Sequence, residues 1–317
     1  MTRKRTIPVS LILTTLNEAA AIPLFLDGVR NGSVLPAEVV VCDGGSTDDT
    51  VALLRRAELD LPLRVLEEKG ASIACGRNIA IAAAGCDVLA ITDAGCRLDE
   101  EWLERITAPL LDDATLDAVG GGYTLEGRRL VQRLTAAGTL PLHANAPETF
   151  LPSSRSFAVR RDSLLRAGGY PEQLSFAGED TALCLRMKDM GMRFVTRWDA
   201  LVHWELRPTM RSFLRQYYLY GVGDGEARSL TRRYVKAFVK WGVAVLLVPG
   251  VPFVPWLSFV LLLAVQGHFL HLYRAFRWDR LSLSMSFGGY LFVLLKEAAM
   301  MAGYIRGRCG ASRRATT

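Results

Sequence analysis

Carboxylates and their polar neighbours stand at three places where a short β-branched run ends: Thr15, Asn17 and Glu18 after Val9 to Thr15, Asp43 after Val39 to Cys42, and Asp93 after Val88 to Thr92. One acid after a strand is commonly a turn former or a helix cap, and Asp48 is read as such a cap. Three such ends point further, because ligands of open α/β sheets bind beyond the carboxyl ends of parallel strands. A crevice lined by acids does not hold an anionic diphosphate unaided. It implies a divalent cation, Mg²⁺ or Mn²⁺, which prefers carboxylate and phosphate oxygens and takes few protein ligands. Alternatively, a carboxylate such as Asp43 accepts hydrogen bonds from a base or ribose. Arg77, near the start of an Ala-rich stretch, either offsets phosphate charge or is a surface arginine.

A second acidic cluster is Phe176-Ala177-Gly178-Glu179-Asp180. Group transfer onto a hydroxyl needs a carboxylate to take the hydroxyl proton. Asp180 falls at an expected helix N-terminus, where the dipole favours the ionised form; the same position suits a plain N-cap. His203 is either a further metal ligand or a satisfied histidine beside Trp204. Cys96 is set aside, since a thiolate is too soft for Mg²⁺. No Gly-x-Gly-x-x-Gly follows the first strand and no Gly-x-x-x-x-Gly-Lys-Ser/Thr occurs, which argues against a dinucleotide oxidoreductase and a P-loop NTPase.

The elements that must position these residues alternate short strands with helices, the pattern of a parallel sheet covered by helices. Strands are expected at Val9–Thr15, Val39–Cys42, Leu63–Leu66 and Val88–Thr92. Helices are expected from Glu18 to Arg30, Asp48 to Arg56, Ser72 to Ala84 with Ser72 as cap, and from Asp99 onward. Gly120 to Tyr123 reads as a strand with close backbone contacts, and Leu140 to Arg155, with three prolines, as a functional loop. Asp162 is expected to cap a short helix ended by Gly168-Gly169. Further on come a helix from Glu179 to Met190, a strand from Phe194 to Arg197, and an aromatic-rich helix from Thr209 to about Arg228.

From Trp241 to Tyr273 there is no Asp, Glu, Lys or Arg, and Leu281 to Leu295 is a second such run. The first exceeds the ~20 apolar residues that cross a bilayer. Three prolines between Pro249 and Pro255 break it, so a helical hairpin is expected over about 236–273, then a third apolar segment over about 281–304 and a basic tail. The net charge is +6, but its basic residues flank the apolar runs (Arg232, Arg233, Lys236 and Lys240 before, Arg306 and Arg308 after) rather than forming an aromatic-interleaved stripe. That placement fits a membrane and not nucleic acid, and by the positive-inside rule it puts the chain's N-terminal part on the cytoplasmic face of an integral membrane protein. Six scattered cysteines without a Cys-x-x-Cys pair fit reduced thiols.

Residues Val9 to about Arg197 resemble the family 2 glycosyltransferases with the GT-A fold, a Rossmann-like, mostly parallel sheet with flanking helices. The motifs occur in the family's order: Leu13-Thr14-Thr15-Leu16-Asn17-Glu18, Val41-Cys42-Asp43-Gly44-Gly45-Ser46-Thr47-Asp48, Thr92-Asp93-Ala94-Gly95 and Gly178-Glu179-Asp180. The resemblance implies an inverting transfer from a nucleotide-diphosphate sugar, nucleotide contacts from Thr15, Glu18 and Asp43, metal-diphosphate binding at Asp93, and Asp180 as base. Ser153-Ser154-Arg155 looks like the acceptor-side loop. Gly95 stands where the family's Asp-x-Asp element has its second acid, which weakens strict metal dependence. Arg215 to Gly221 resembles in part the Gln-x-x-Arg-Trp segment of processive relatives, placing Gln216 and Tyr217 on the acceptor side; Leu219 and Tyr220 replace Arg and Trp, so polymerisation is not expected. The expected division is a cytoplasmic catalytic domain over 1–230 and a C-terminal membrane domain over 231–317, with a lipid-linked acceptor or a growing glycan. A nucleotidyltransferase and a non-catalytic membrane scaffold are the rival readings.

Overall fold

The computed structural model describes residues 4–139, 150–174, 177–247, 251–254, 256–276 and 281–314. They divide into two compact units, one of residues 1–125 and 142–205 and another of 126–141 and 206–317. The division falls before the expected boundary at 230: the aromatic-rich helix groups with the C-terminal helices.

The first unit is built on strands β1 (Arg5–Thr15), β2 (Val34–Asp43), β3 (Leu63–Glu67), β4 (Val88–Ile91), β5 (Cys96–Leu98), β6 (Ala118–Glu126), β7 (Phe157–Arg160) and β8 (Phe194–Glu205). Their order in the sheet is β3-β2-β1-β4-β7-β6-β8-β5. The first four strands pair in parallel. β7 runs antiparallel to β4 and β6, and β5 antiparallel to β8. The sheet is therefore mixed, and the expected parallel character belongs to its first four strands.

Period-two alternation along β1 sends Ile7, Val9, Leu11 and Leu13 to one face and Ile12 to the other. The first face is covered by α1 (Ile22–Asn31), α2 (Thr50–Ala57) and α4 (Trp102–Asp112), through Phe25, Leu54, Trp102 and Ile106. The second is covered by α3 (Ile73–Ala83), α6 (Arg161–Arg166) and α7 (Glu179–Asp189), through Ile81, Leu164, Leu183 and Met187. With both faces buried, β1 reads as a continuous apolar run rather than an alternating one.

Ser72 caps α3 as expected, its side chain accepting from the Cys75 N–H at 3.2 Å. α1 starts at Ile22 rather than Glu18, because the Glu18 carbonyl closes a turn with the Ala21 and Ile22 N–H groups and Pro23 occupies the first helical turn. Asp162 lies in the first turn of α6, whose N-cap is Arg160. The Gly120–Gly122 strand makes the close backbone contacts anticipated for it: a Cβ on Gly121 would stand 1.9 Å from Ser156 Oγ. All six cysteines are unpaired.

The second unit holds α5 (Leu130–Ala137), α8 (Met210–Glu226), α9 (Thr231–Leu247) and α11 (Leu283–Arg314) around Phe213, Tyr217, Tyr234, Phe292, Met300 and Tyr304, together with α10 (Trp256–Ala275), which buries no residue. α8 and α11 meet backbone to backbone through Gly221 and Gly225 on one helix and Gly303 and Gly307 on the other, two small-xxx-small motifs facing each other. A Cβ on Gly303 would stand 2.0 Å from the Tyr218 carbonyl oxygen, and one on Gly221 2.1 Å from that of Met300.

α10 and residues 283–310 of α11 are long and apolar enough to cross a membrane. α9 has 17 described residues and carries Arg232, Arg233, Lys236 and Lys240, and residues 248–250, which follow it, lie outside the described residues. Of the turn assigned to the prolines, residues 251–253 are observed as a turn, and Pro249, Gly250 and Pro255 lie outside the described residues, as do 277–280. The two charges in the middle of α11, Lys296 and Glu297, are satisfied: Lys296 Nζ donates to the Gly138 carbonyl at 2.6 Å, and Glu297 pairs with Lys240 at 2.6 Å.

Candidate active site

Parallel register brings the first two polar strand ends together, since Thr15 at the end of β1 lies opposite Asp43 at the end of β2. Asp43 is 1 % exposed, and its carboxylate accepts from Thr15 Oγ1 at 2.8 Å, Ser46 Oγ at 2.6 Å, and the N–H groups of Gly45 and Ser46 at 2.9 and 2.7 Å. Burial pushes this carboxyl up, but the hydrogen bonds from Ser46, Thr15 and Gly45 outweigh it and hold it below the ordinary carboxylate value. Asn17, in the left-handed conformation that Asn tolerates, donates its N–H to Ser46 Oγ and accepts from the Thr47 N–H at 2.9 Å. The Glu18 N–H donates to Thr50 Oγ1 at 2.8 Å, and Asp48 accepts from the Thr50 N–H at 3.1 Å; the N-cap of α2 is Asp49, so Asp48 shapes the turn before the helix and is not the cap expected of it. These bonds fix the two loops after β1 and β2 to each other.

Asp93 follows β4 and joins a buried relay. Arg77, on α3 and 2 % exposed, donates from one terminal nitrogen to Asp93 Oδ1 at 2.6 Å and from the other to Glu179 Oε1 at 2.5 Å. Its guanidinium also lies over the Tyr170 ring, 5.1 Å from the centroid. Burial opposes its charge, and the carboxylates of Asp93 and Glu179 more than restore it. Arg77 is thus neither a surface arginine nor an open phosphate ligand; both of its forks are taken by carboxylates. Glu179 is buried as well. Desolvation raises its carboxyl against the pull of Arg77, and Asp180 pushes the same way.

Gly178, at φ +86°, takes the left-handed turn that starts α7 and leaves Glu179 and Asp180 in the helix's first turn. Glu179 turns inward to Arg77. Asp180 accepts from the Thr181 N–H at 2.7 Å and faces the Ser154 N–H at 3.4 Å. Phe176 of the same motif lies outside the described residues. The Ser154 hydroxyl pairs with the Tyr170 hydroxyl at 2.7 Å, and Arg155 reaches back to Asp93, with its Nε 3.8 Å from Oδ2. The Arg155 guanidinium stacks over Trp204 at 4.1 Å, and its carbonyl accepts from Thr92 Oγ1. One connected network therefore holds Asp93, Arg77, Glu179, Asp180, Ser154 and Arg155.

The other expected site residues lie elsewhere. Along β8, Trp204 faces Arg155, and alternation sends His203 to the opposite side, where its ring bonds Thr124 Oγ1 at 2.7 Å and stands 3.7 Å from Asp99. In the second unit, the Gln216 side chain donates to the Tyr220 hydroxyl at 2.9 Å, and Tyr217 packs against Phe213 and Tyr220 in the core. Tyr170 and Trp204 were not anticipated as site residues. Tyr170 carries no local signal, whereas Trp204 is one position from a residue that was singled out.

The donor set fits a cation held mainly by its ligand. Asp93 Oδ2 is its one carboxylate oxygen outside the bond to Arg77, and among the described residues no three of His, Cys, Asp and Glu gather as a metal cluster. Burial, with Asp93 adding to it, pushes the Cys96 thiol up to about 12. At Gly95 a Cβ would meet nothing within 4 Å, so the position of the missing second acid is open space.

A sheet with carboxylates at three parallel strand ends, joined through a buried arginine to an acidic helix start, defines a glycosyltransferase of the GT-A fold. The chain belongs to glycosyl transferase family 2, whose family model matches residues 10–166. The glycosyltransferase AglE of Haloferax volcanii is 26 % identical over 244 residues, covering 74 % of this chain and 79 % of that protein. The succinoglycan biosynthesis protein ExoA of Rhizobium meliloti is 28 % identical over 227 residues, covering 67 % and 68 %. Among solved structures, the mannosyltransferase PcManGT from Pyrobaculum calidifontis, in complex with GDP-Man and Mn²⁺, superposes with a TM-score of 0.67 at 21 % identity over 96 % of this chain and 88 % of that one. The enzyme is a glycosyltransferase, and its two apolar C-terminal helices fit membrane anchoring.

Proposed function

We propose that the enzyme moves a sugar from a nucleotide-diphosphate donor to an acceptor hydroxyl in one inverting displacement. The acceptor oxygen bonds the anomeric carbon, its proton passes to Asp180, and the bond to the diphosphate oxygen breaks with its electron pair leaving on the nucleotide. The observation that carries this reading is the network from Asp93 through Arg77 and Glu179 to Asp180, which ties a donor-side carboxylate to an acid in the first turn of a helix. Of the paired acids, Asp180 is the base and Glu179 a positioning residue, because Glu179 is spent on Arg77. Thr15 and Asp43 hold the nucleotide's polar edge, with Asn17 and Glu18 shaping the loop that covers it. Ser154 and Arg155 border the acceptor, and Arg155 adds positive charge near the departing diphosphate. A Mg²⁺ or Mn²⁺ ion on Asp93 would supply further positive charge to that diphosphate. His203 takes no part in this arrangement, since its ring is directed to Thr124 and Asp99.

The acceptor is a lipid-linked sugar or a growing glycan, a reading supported by the two apolar helices and by the biosynthetic role in the name of the Rhizobium relative. The basic residues flanking those helices favour the cytoplasmic face for the catalytic unit. The test is transfer by detergent-purified enzyme across a panel of nucleotide sugars, beginning with GDP-mannose and Mn²⁺, with product anomers assigned by NMR. A product of inverted anomeric configuration is expected. A retained configuration would overturn the single displacement.

A further inference from the structure

Within the second unit, α9 and α11 enclose a cleft of about 430 Å³ whose wall includes Arg232, Arg233, Lys236 and Lys240 from α9 and Glu297 and Met300 from α11. Four cations thus face one carboxylate, and that carboxylate is engaged: Glu297 accepts from Lys240 Nζ at 2.6 Å and from Trp241 Nε1 at 3.1 Å. No ion pair among the described residues includes Arg232, Arg233 or Lys236. Arg232, Lys236 and Lys240 recur every fourth residue, so like charges stack along one line of the helix and repel one another. An anion seated in the cleft relieves that repulsion. Two of the cations are guanidinium or ammonium groups side by side at Arg233 and Lys236, a combination of fork and point charge suited to phosphate oxygens.

A second stripe decides which anion. Val235, Val239 and Val243 are 53, 60 and 50 % exposed at the same four-residue spacing, about a quarter-turn from the basic line. A basic line beside an exposed apolar line is the pattern of a helix lying at the boundary between headgroups and acyl chains. A soluble phosphate would use the first line only, whereas a lipid phosphate uses both.

We propose that the α9–α11 cleft binds the phosphate of an anionic lipid, held by Arg232, Arg233 and Lys236, with its chain along Val235, Val239 and Val243. The proposal does not depend on the transfer chemistry, and its test contains no donor sugar. Full-length protein purified in a mild neutral detergent is titrated with phosphatidylglycerol or phosphatidylcholine in mixed micelles, and with inorganic phosphate, while binding is followed by thermal shift. Phosphatidylglycerol should stabilise the protein at concentrations where phosphatidylcholine and inorganic phosphate do not. The variant Arg232→Gln/Arg233→Gln/Lys236→Gln should weaken phosphatidylglycerol binding on the order of 100-fold, since each surface cation contributes about fivefold and the three factors multiply. The side chains changed are exposed, and the single variant Lys236→Gln serves where the triple variant does not fold, with an expected loss of roughly fivefold. Unchanged phosphatidylglycerol binding in these variants, or equal response to inorganic phosphate, would overturn the lipid site.

Discussion

Arg77 decides how the donor side and the acidic helix start are joined. It is one cation between two carboxylates, nearly excluded from water, and removing it strands the buried Glu179 above all, since Asp93 is 28 % exposed and keeps Arg155 nearby. Arg77→Gln is therefore expected to cost roughly 3–5 kcal/mol of stability. Adding Glu179→Gln to that variant removes one of the stranded carboxylates and should recover part of the loss, a coupling that denaturant unfolding of the single and double variants measures. Strictly additive losses would show that the two side chains do not act on each other. This relay was not legible in the sequence. Asp93 and Asp180 stood out by motif, but Arg77 meets partners 16 and 102 positions away, and no local pattern encodes such a pairing. Asp43 was legible because its partners Gly45 and Ser46 lie in the same turn.

At the scale of elements, hydrophobic periodicity located the strands and helices of the first unit, and missed those that carry little of it. β5 has three residues, too few for a period to show. Element ends moved where local bonds compete with the helix, as at Glu18. The packing of α8 on α11 escaped for a different reason: Gly221, Gly225, Gly303 and Gly307 contribute no hydrophobicity, and their role exists only once the two helices meet. Gly303→Ala is expected to destabilise the second unit by about 1–3 kcal/mol, because its Cβ has no room beside the Tyr218 carbonyl. Gly267→Ala on α10, where a Cβ meets nothing within 4 Å, should cost nothing and gain helix propensity. Thermal unfolding of both variants in one detergent checks the contrast, and equal melting temperatures would contradict the close helix contact.

At the scale of the whole chain, composition already separated a soluble-looking α/β portion from an apolar C-terminal one, and the compact units follow that division with a shifted border. The shift has a physical cause: α8 reads as amphipathic, but its apolar and small residues are used against α11, so it folds with the helices that follow it. The family and its motif order carried the catalytic reading further than charge or periodicity could, and the central claim they support is that Asp180 takes the acceptor proton. The most direct measurement is turnover of the best donor by full-length enzyme, native and Asp180→Asn, with donor binding measured on both. Removing a general base should lower turnover by roughly 10²–10⁴-fold while donor affinity is kept, because Asp180 lies outside the Thr15–Asp43 nucleotide contacts. Native turnover by Asp180→Asn would contradict the assignment.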